Sequence, residues 1–465
     1  MLFRQYRPKL LSALVGCLLA SLLYGQPVGK KLQAAWDQFV NDEQLKQAIP
    51  SLYIIDAASG AVVFEKNSRI GLAPASTQKV ITAATAFDLL GKDYRYQTRI
   101  FIADKNGKPG LLIVPSGDPT LGSDRWSQTK PSAQLGKIMG SLRVESKSLT
   151  GTIYYAEKGW GGNKIPDGWI WQDIGNYYGA AAEALNWREN QYEIRLRSGK
   201  NTGDPVSITR VDGSFPGSRL RSEVLSAATG SGDNAYVYYT PGSNNAVIRG
   251  TIPVNENDFS ISAASPSGQE AFESALKDSL ETLGVRVAFP SVTIYDPLLE
   301  GGKLLTTLHS PTLDSIIYWF LKKSINLYGE ALIKTMAAGK KGLANTNAGI
   351  ALLTDFWKDK GIPPTELNLY DGSGLSPLNR VTTHAEVEVL KYARRQPWYP
   401  LFLEALPLYN GLTMKSGTIN DVKGFCGYHK SRAGREYIFS FIVNNYNGKS
   451  LSLVNKMFTL LDILK

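Results

Sequence analysis

Ser76-Thr77-Gln78-Lys79-Val80-Ile81-Thr82-Ala83-Ala84-Thr85-Ala86-Phe87-Asp88-Leu89-Leu90 reads as a helix with a hydroxyl at its mouth and a lysine one turn along. Residues at i, i+3, i+4 and i+7 share a helical face. Ser76 therefore stands with Lys79, Val80, Ala83 and Phe87, and Lys79 points into apolar surroundings. Desolvation disfavours an ammonium there and yields an amine able to take a serine proton near neutral pH. Free N–H groups and the positive dipole end at the helix start suit a developing oxyanion. A second tetrad, Ser274-Ala275-Leu276-Lys277, shares its face with Asp278 and Glu281 and reads as an ordinary solvated surface. In isolation, Ser76 and Lys79 also fit an N-cap serine and a lysine reaching for water.

Upstream of this helix, residues 51–56 and 61–65 alternate as two strands around a Ser-Gly turn. Gly91 closes the helix. From about residue 94 to 297 many short strand-like runs are broken by Gly, Pro, Asn and Asp, which marks an inserted, strand-rich region. Helical spacing returns over 313–336 and 346–360. Strands are expected at 412–416, 424–429 and 437–444, followed by an apolar helix over 451–464 whose apolar face suits a core better than a membrane surface. Because the last strands could pair with the first hairpin, one interrupted α/β domain is the economical reading.

The chain has 465 residues with 43% apolar content, enough for two or three cores. Residues 1–25 read as an export signal, with Arg4, Arg7 and Lys9 before the apolar run 10–23 and Gly25 as a small residue for cleavage. Leu14-Val15-Gly16-Cys17 has the form of a lipid-attachment box, the one route to a membrane. Loss of Cys17 leaves Cys426 without a disulfide partner. The +10 charge is spread without a basic stripe interleaved with aromatics, which suits an anionic envelope polymer and argues against nucleic acid. His309, His384 and His429 form no ligand pair and flank no nucleophile, so neither zinc nor a Ser-His-Asp triad is expected. Cys426, in Gly424-Phe425-Cys426-Gly427-Tyr428, reads as a small buried strand residue.

Two further motifs join the tetrad. Ser324-Ile325-Asn326 lies in an amphipathic stretch, and Lys415-Ser416-Gly417-Thr418 lies on an apparent strand. A second serine with an asparagine can relay a proton to a leaving amine and hold a substrate amide. A lysine and hydroxyls on an edge strand can bind a carboxylate, and the glycine lets a substrate backbone approach. In this order the motifs resemble those of serine β-lactamases and penicillin-binding proteins. With Gly117-Asp118-Pro119-Thr120-Leu121, Tyr178-Gly179-Ala180 and Asp371-Gly372-Ser373-Gly374-Leu375-Ser376, nearly the whole chain resembles the low-molecular-mass class C penicillin-binding proteins, D-alanyl-D-alanine carboxypeptidases and endopeptidases.

That resemblance implies a transpeptidase fold, an antiparallel sheet between helical layers, over 26–93 and 302–465, with 94–301 forming two inserted, mainly β domains. It implies Ser76 as nucleophile, Lys79 as base, and Ser324, Asn326 and Lys415 in proton transfer and substrate positioning. Ser416, Gly417 and Thr418 would line the substrate strand, with the N–H groups of Ser76 and Thr418 holding the oxyanion. Asp173 and Tyr178 would overhang the site. Peptidoglycan stem peptides and β-lactams are the implied partners, the cell envelope the implied location, and no cofactor is implied. Lys-Ser-Gly stands where Lys-Thr-Gly is commoner, and Pro377 where relatives often carry an arginine for a substrate carboxylate. A β-lactamase or esterase of this fold, or a non-catalytic wall-binding scaffold, are the alternatives; a scaffold would be expected to lack Lys79 or Ser324.

Overall fold

The computed structural model describes residues 28–465 except 106–107, 146–148, 150–151, 158, 213–218, 244, 286–287 and 295–301. The export signal and the Cys17 box fall outside the described residues. Helix α1 (Val28–Val40) buries Leu32, Trp36 and Phe39 at helical spacing. Strands β1 (Ile49–Asp56) and β2 (Val62–Lys66) follow, joined by a turn in which the Asp56 carboxylate accepts from the N–H groups of Ala58 and Ser59.

A 3₁₀ turn over Ala75–Gln78 leads into α2 (Lys79–Leu90), so the expected helix starts three residues later than its reading as one element from Ser76. Every residue from Lys79 to Phe87 is buried. The helix thus runs through the middle of the domain instead of presenting one apolar face to it.

The insertion begins with β3 (Gln97–Lys105), β4 (Lys108–Val114), α3 (Pro131–Glu145), β5 (Thr152–Ala156) and the short α4 (Trp171–Ile174). It continues through β6 (Gln191–Arg197), β7 (Ser207–Asp212), β8 (Arg219–Ala227), β9 (Asn234–Tyr239), β10 (Asn245–Pro253), β11 (Phe259–Ala264), α5 (Gly268–Glu281), β12 (Ala288–Ile294) and β13 (Lys303–His309). One unit is a mixed five-stranded sheet, β12-β5-β4-β3-β13. Helices α3 and α5 cover it around Ile100, Leu111, Ile138, Phe272 and Leu276. Strand β13 lies past the expected boundary at 301 yet pairs with β3, because its alternating apolar residues complete this sheet. The other unit packs the sheets β11-β6-β7 and β8-β10-β9 around Ile194, Val237, Ile248 and Ile261.

The chain returns through α6 (Leu313–Lys322), α7 (Asn326–Lys341), α8 (Thr346–Asp359), the paired β14 (Leu367–Asn368) and β15 (Arg380–Val381), α9 (Thr383–Ala393) and α10 (Tyr399–Ala405). Strands β16 (Leu408–Tyr409), β17 (Leu412–Ile419), β18 (Val422–Lys430) and β19 (Glu436–Asn444) precede α11 (Ser450–Leu461). The helix read over 313–336 is in fact two, broken at an elbow where Ser324 takes a left-handed φ of 59°.

The main sheet runs β16-β17-β18-β19-β1-β2, antiparallel throughout. The first hairpin and the last strands, far apart in sequence, thus form one sheet, as their patterning suggested. Helices α1 and α11 cover one face around Trp36, Phe39, Phe441, Leu453 and Met457. The other face packs against Ile81, Phe320, Leu332, Trp357 and Leu390 of α2, α6, α7, α8 and α9. No helix among the described residues is long and apolar enough to cross a membrane.

Candidate active site

The Ser76 turn is clamped from two sides. Ala75 adopts a left-handed φ of 49°, and Gly374, itself at φ 81°, lies so close that an added Cβ would stand 1.9 Å from the Ala75 oxygen. Gln78 Nε2 donates to the Asp371 carbonyl at 2.6 Å. The 371–376 loop is rigid in turn because the buried Asp371 carboxylate accepts from the N–H groups of Gly374 and Ser376 at 2.7 and 2.6 Å, and from Trp169 Nε1 at 2.9 Å. From the other side comes β17. A Cβ on Gly417 would sit 2.6 Å from the Pro74 oxygen and 2.9 Å from the nitrogen of Ser76, so only glycine lets this strand meet the turn.

Lys79 is fully buried, and its Nζ has three oxygen neighbours: Ser76 Oγ at 2.8 Å, Asn326 Oδ1 at 2.6 Å and the Ser373 carbonyl at 2.6 Å. Burial drives its pKa well below the ordinary lysine value; the nearby Lys415 pushes the same way, against Asp371 and Glu330. An amide oxygen and a backbone carbonyl can only accept, and a neutral amine has two N–H groups and one lone pair. In the neutral form, which burial favours, the two acceptors take the two N–H groups and leave the lone pair for the one neighbour able to donate, the Ser76 hydroxyl; in the charged form Nζ donates to all three.

The elbow between α6 and α7 presents Ser324 and Asn326. Lys415 Nζ is 3.0 Å from Ser324 Oγ and donates to the Ser416 carbonyl at 2.8 Å. Burial lowers its pKa to about 7. Asn326 Nδ2 donates to the Tyr178 carbonyl at 2.7 Å, which ties the 171–179 segment of the insertion to the site. In that segment burial pushes the Asp173 carboxyl up to about 6, opposed by the Tyr178 hydroxyl, and lifts the Tyr178 phenol well above its ordinary range.

All ten expected residues thus fall into one region, on two sides of β17. Lys415 and Gly417 face the turn. Ser416 and Thr418, by strand alternation, face away from it, and Thr418 is exposed. Pro377 offers only its carbonyl, to Arg380 at 2.6 Å. By contrast, the Ser274 tetrad lies on α5 of the insertion with Lys277 and Asp278 exposed.

The sequence reading missed three participants. Ser373 enters through its backbone, which no side-chain pattern reveals. Lys423, on β18, donates to Thr418 Oγ1 at 2.7 Å and becomes a neighbour only through the β17–β18 register. Glu330, buried on α7 and pushed up to about 8 by burial and Asp371, accepts from the Gly372 N–H; its signal was a carboxylate one turn from both Asn326 and Lys334 in a largely apolar helix. Cys426 is buried beneath the turn with its thiol pKa raised by burial, a packed side chain as expected. No group of metal-ligating side chains occurs among the described residues.

A family model described as the D-Ala-D-Ala carboxypeptidase 3 (S13) family matches residues 32–411. A D-alanyl-D-alanine carboxypeptidase of Actinomadura sp. (strain R39) is 23% identical, covering 89% of this chain and 80% of its own. D-alanyl-D-alanine carboxypeptidase DacB of Haemophilus influenzae is 23% identical over 85% of each chain. The crystal structure of penicillin binding protein 4 (dacB) from Haemophilus influenzae is similar with a TM-score of 0.77 at 21% identity, covering 92% of this chain and 98% of that one. The fold is therefore shared over most of the chain.

Proposed function

The chain belongs to the D-Ala-D-Ala carboxypeptidase 3 (S13) family of serine-type peptidases, and on that premise we propose how its own residues carry out the reaction on peptidoglycan stem peptides. Lys79 takes the Ser76 proton. Ser76 Oγ attacks the carbonyl of the penultimate D-alanine, and the N–H groups of Ser76 and Thr418 hold the oxyanion. As the tetrahedral intermediate collapses, Ser324, linked to Lys415, protonates the departing amine and is itself reprotonated by the proton that Lys79 took from Ser76, so that terminal D-alanine leaves and Lys79 is neutral again. Water then attacks the acyl-enzyme, its proton passing back through Lys79 to Ser76. The backbone edge of β17 supports binding of an extended peptide, since β16 reaches only Leu412 and Thr413 and, among the described residues, 415–419 have no strand on that side. The hydroxyls of Ser416 and Thr418, with Lys423 beside the latter, suit the terminal carboxylate.

The observation that carries this reading is the coordination of Lys79, two acceptor-only oxygens and one hydroxyl. The same residues support acylation by β-lactams, whose ring carbonyl takes the place of the D-alanine carbonyl. We assign 26–93 with the segment after β13 to the catalytic domain and the rest to the insertion. The apolar leader with Arg4, Arg7 and Lys9 supports an exported, envelope location. Labelled penicillin should modify Ser76 in the parent and in Ser274→Ala, and modify nothing in Ser76→Ala. Mass spectrometry of a treated muropeptide digest should show loss of one alanine residue, with cleaved cross-links in addition if endopeptidase activity accompanies it. An adduct persisting in Ser76→Ala would overturn the assignment.

A further inference from the structure

The solvent face of the β8-β10-β9 sheet carries an ordered pattern that the reaction does not use. In the pairing of these strands Asn245 stands opposite Arg219, and Val247 stands between Arg221 and Tyr238. In the next row of the same face Arg249 stands between Glu223 and Tyr236. Side chains aligned across a sheet point the same way, so one open face presents three arginines, a glutamate, an asparagine and two tyrosines, while Val224, Val237 and Ile248 point into the core.

Over this face stands Trp171, with 53% of its surface exposed. It packs edge-on to Tyr238 at 4.9 Å and donates from Nε1 to the Tyr239 carbonyl at 3.0 Å. Tryptophan, arginines, Tyr238, Thr240 and Asn245 border a groove of about 330 Å³ with no carboxylate among its described lining. Glu223 binds Arg221 and Arg249 one row away, which leaves Arg219 to face the groove.

Trp171 and Asp173 both belong to α4, two residues apart and hence on nearly opposite sides of it. The helix divides two surfaces: Asp173 lies beside Tyr178 and through it beside Asn326, and Trp171 lies over the groove. A three- or four-residue peptide spans roughly 10–14 Å, and the single four-residue helix α4 borders both the site and the groove.

We propose that this groove is a binding site for the glycan of peptidoglycan, the N-acetylated amino sugars that bear the stem peptide. The flat apolar face of a pyranose suits Trp171 and Tyr238. Hydroxyls and acetamido oxygens suit Thr240, Asn245 and the fixed fork of an arginine. The site makes the enzyme prefer peptides still attached to sugar. It rests on the proposed function only for the identity of the polymer.

The test uses peptide-free glycan strands, prepared by amidase treatment of peptidoglycan, titrated into the full-length protein with tryptophan fluorescence as the readout. Binding to the parent should weaken at least tenfold in Trp171→Ala and in Arg219→Glu. The second variant lies on a strand edge and leaves α4 docked. In both, penicillin acylation of Ser76 should stay within twofold of the parent, and hydrolysis of a sugar-free pentapeptide should be unchanged in Arg219→Glu, while the disaccharide pentapeptide loses its advantage. Equal glycan binding by parent and variants, or capture of polyphosphate with no binding of glycan, would overturn the proposal. Because the titration needs no turnover, a protein that binds glycan but fails to react with penicillin would overturn the catalytic reading and leave the groove standing.

Discussion

Asn326 Oδ1 lies 2.6 Å from Lys79 Nζ, while the other end of the same amide donates to the Tyr178 carbonyl at 2.7 Å. One side chain thus accepts from Lys79 and anchors the 171–179 segment beside it. An amide oxygen tolerates a neutral amine; a carboxylate would hold an ammonium. Asn326→Asp should therefore lower penicillin acylation of Ser76 at pH 7 by about 100-fold and move its pH profile upward by roughly one to two units. Stopped-flow acylation from pH 6 to 10 reads both effects. A reduced rate with an unmoved profile would mean that the amide only positions substrate.

Gly417 is the point where the substrate strand touches the nucleophile turn. In Gly417→Ala the new methyl meets the Pro74 oxygen and the Ser76 and Thr77 nitrogens at 2.6–2.9 Å. The clash is with backbone, so strand and turn must part. Acylation should fall by about 10²–10³-fold, the scale of a lost oxyanion donor, with a smaller change in thermal midpoint than a core deletion would cause. Retained acylation would show that the two can separate without cost.

Lys423 reaches Thr418 Oγ1 at 2.7 Å and offers a cation where the substrate's terminal carboxylate is placed. Lys423→Ala should raise KM for an acyl-D-alanyl-D-alanine peptide by about ten- to thirtyfold with little change in kcat. A peptide ending in a carboxamide should lose nothing. Equal losses on both would make Lys423 a structural partner of Thr418.

By the family resemblance Asp173 would offer a charge to the third residue of the stem, where Pro377 has none. Asp173→Ala should lower kcat/KM about ten- to a hundredfold for peptides with a free side-chain amine and leave small penicillins untouched. Burial sets the Asp173 carboxyl at about 6, so the preference for amine-bearing peptides should grow as pH rises through 6 and the carboxylate ionises. A preference constant from pH 5 to 8 would remove Asp173 from that subsite.

Glu386 lies beneath the same turn, fully buried, with Oε2 accepting from Ser440 Oγ at 2.6 Å. Burial raises its carboxyl to about 7, above the unfolded value of about 4.3. Between these pH values the folded chain keeps a proton that the unfolded chain has released. The resulting stability is full below the lower value and is lost as pH rises through the upper one. Glu386→Gln, neutral at every pH, should match the parent near pH 4 and exceed it at pH 8 by on the order of 3–4 kcal/mol, read as a denaturation midpoint at each pH. A variant less stable at both would indicate that the amide does not fit.

Much of this protein was determined by its sequence alone, because helical and strand periodicity are local and the three motifs lie each within one element or its flank. The Ser76–Lys79 spacing placed a hydroxyl and a lysine one turn apart, and the contrast with Ser274 followed from the charges on each helical face. Alternation marked the hairpin and the closing strands that join it. Coordination number is not local. The acceptors that leave Lys79 a lone pair for Ser76 come from 247 and 294 residues away, one of them a backbone carbonyl without a side-chain signature. Likewise the pairing of Thr418 with Lys423 required a register, and the attachment of β13 to the insertion required an open edge on β3. The elbow at Ser324 was invisible because helical spacing runs on through it. The chain turns there with Ser324 Oγ 3.0 Å from Lys415 Nζ of β17, a pairing that only the fold could make.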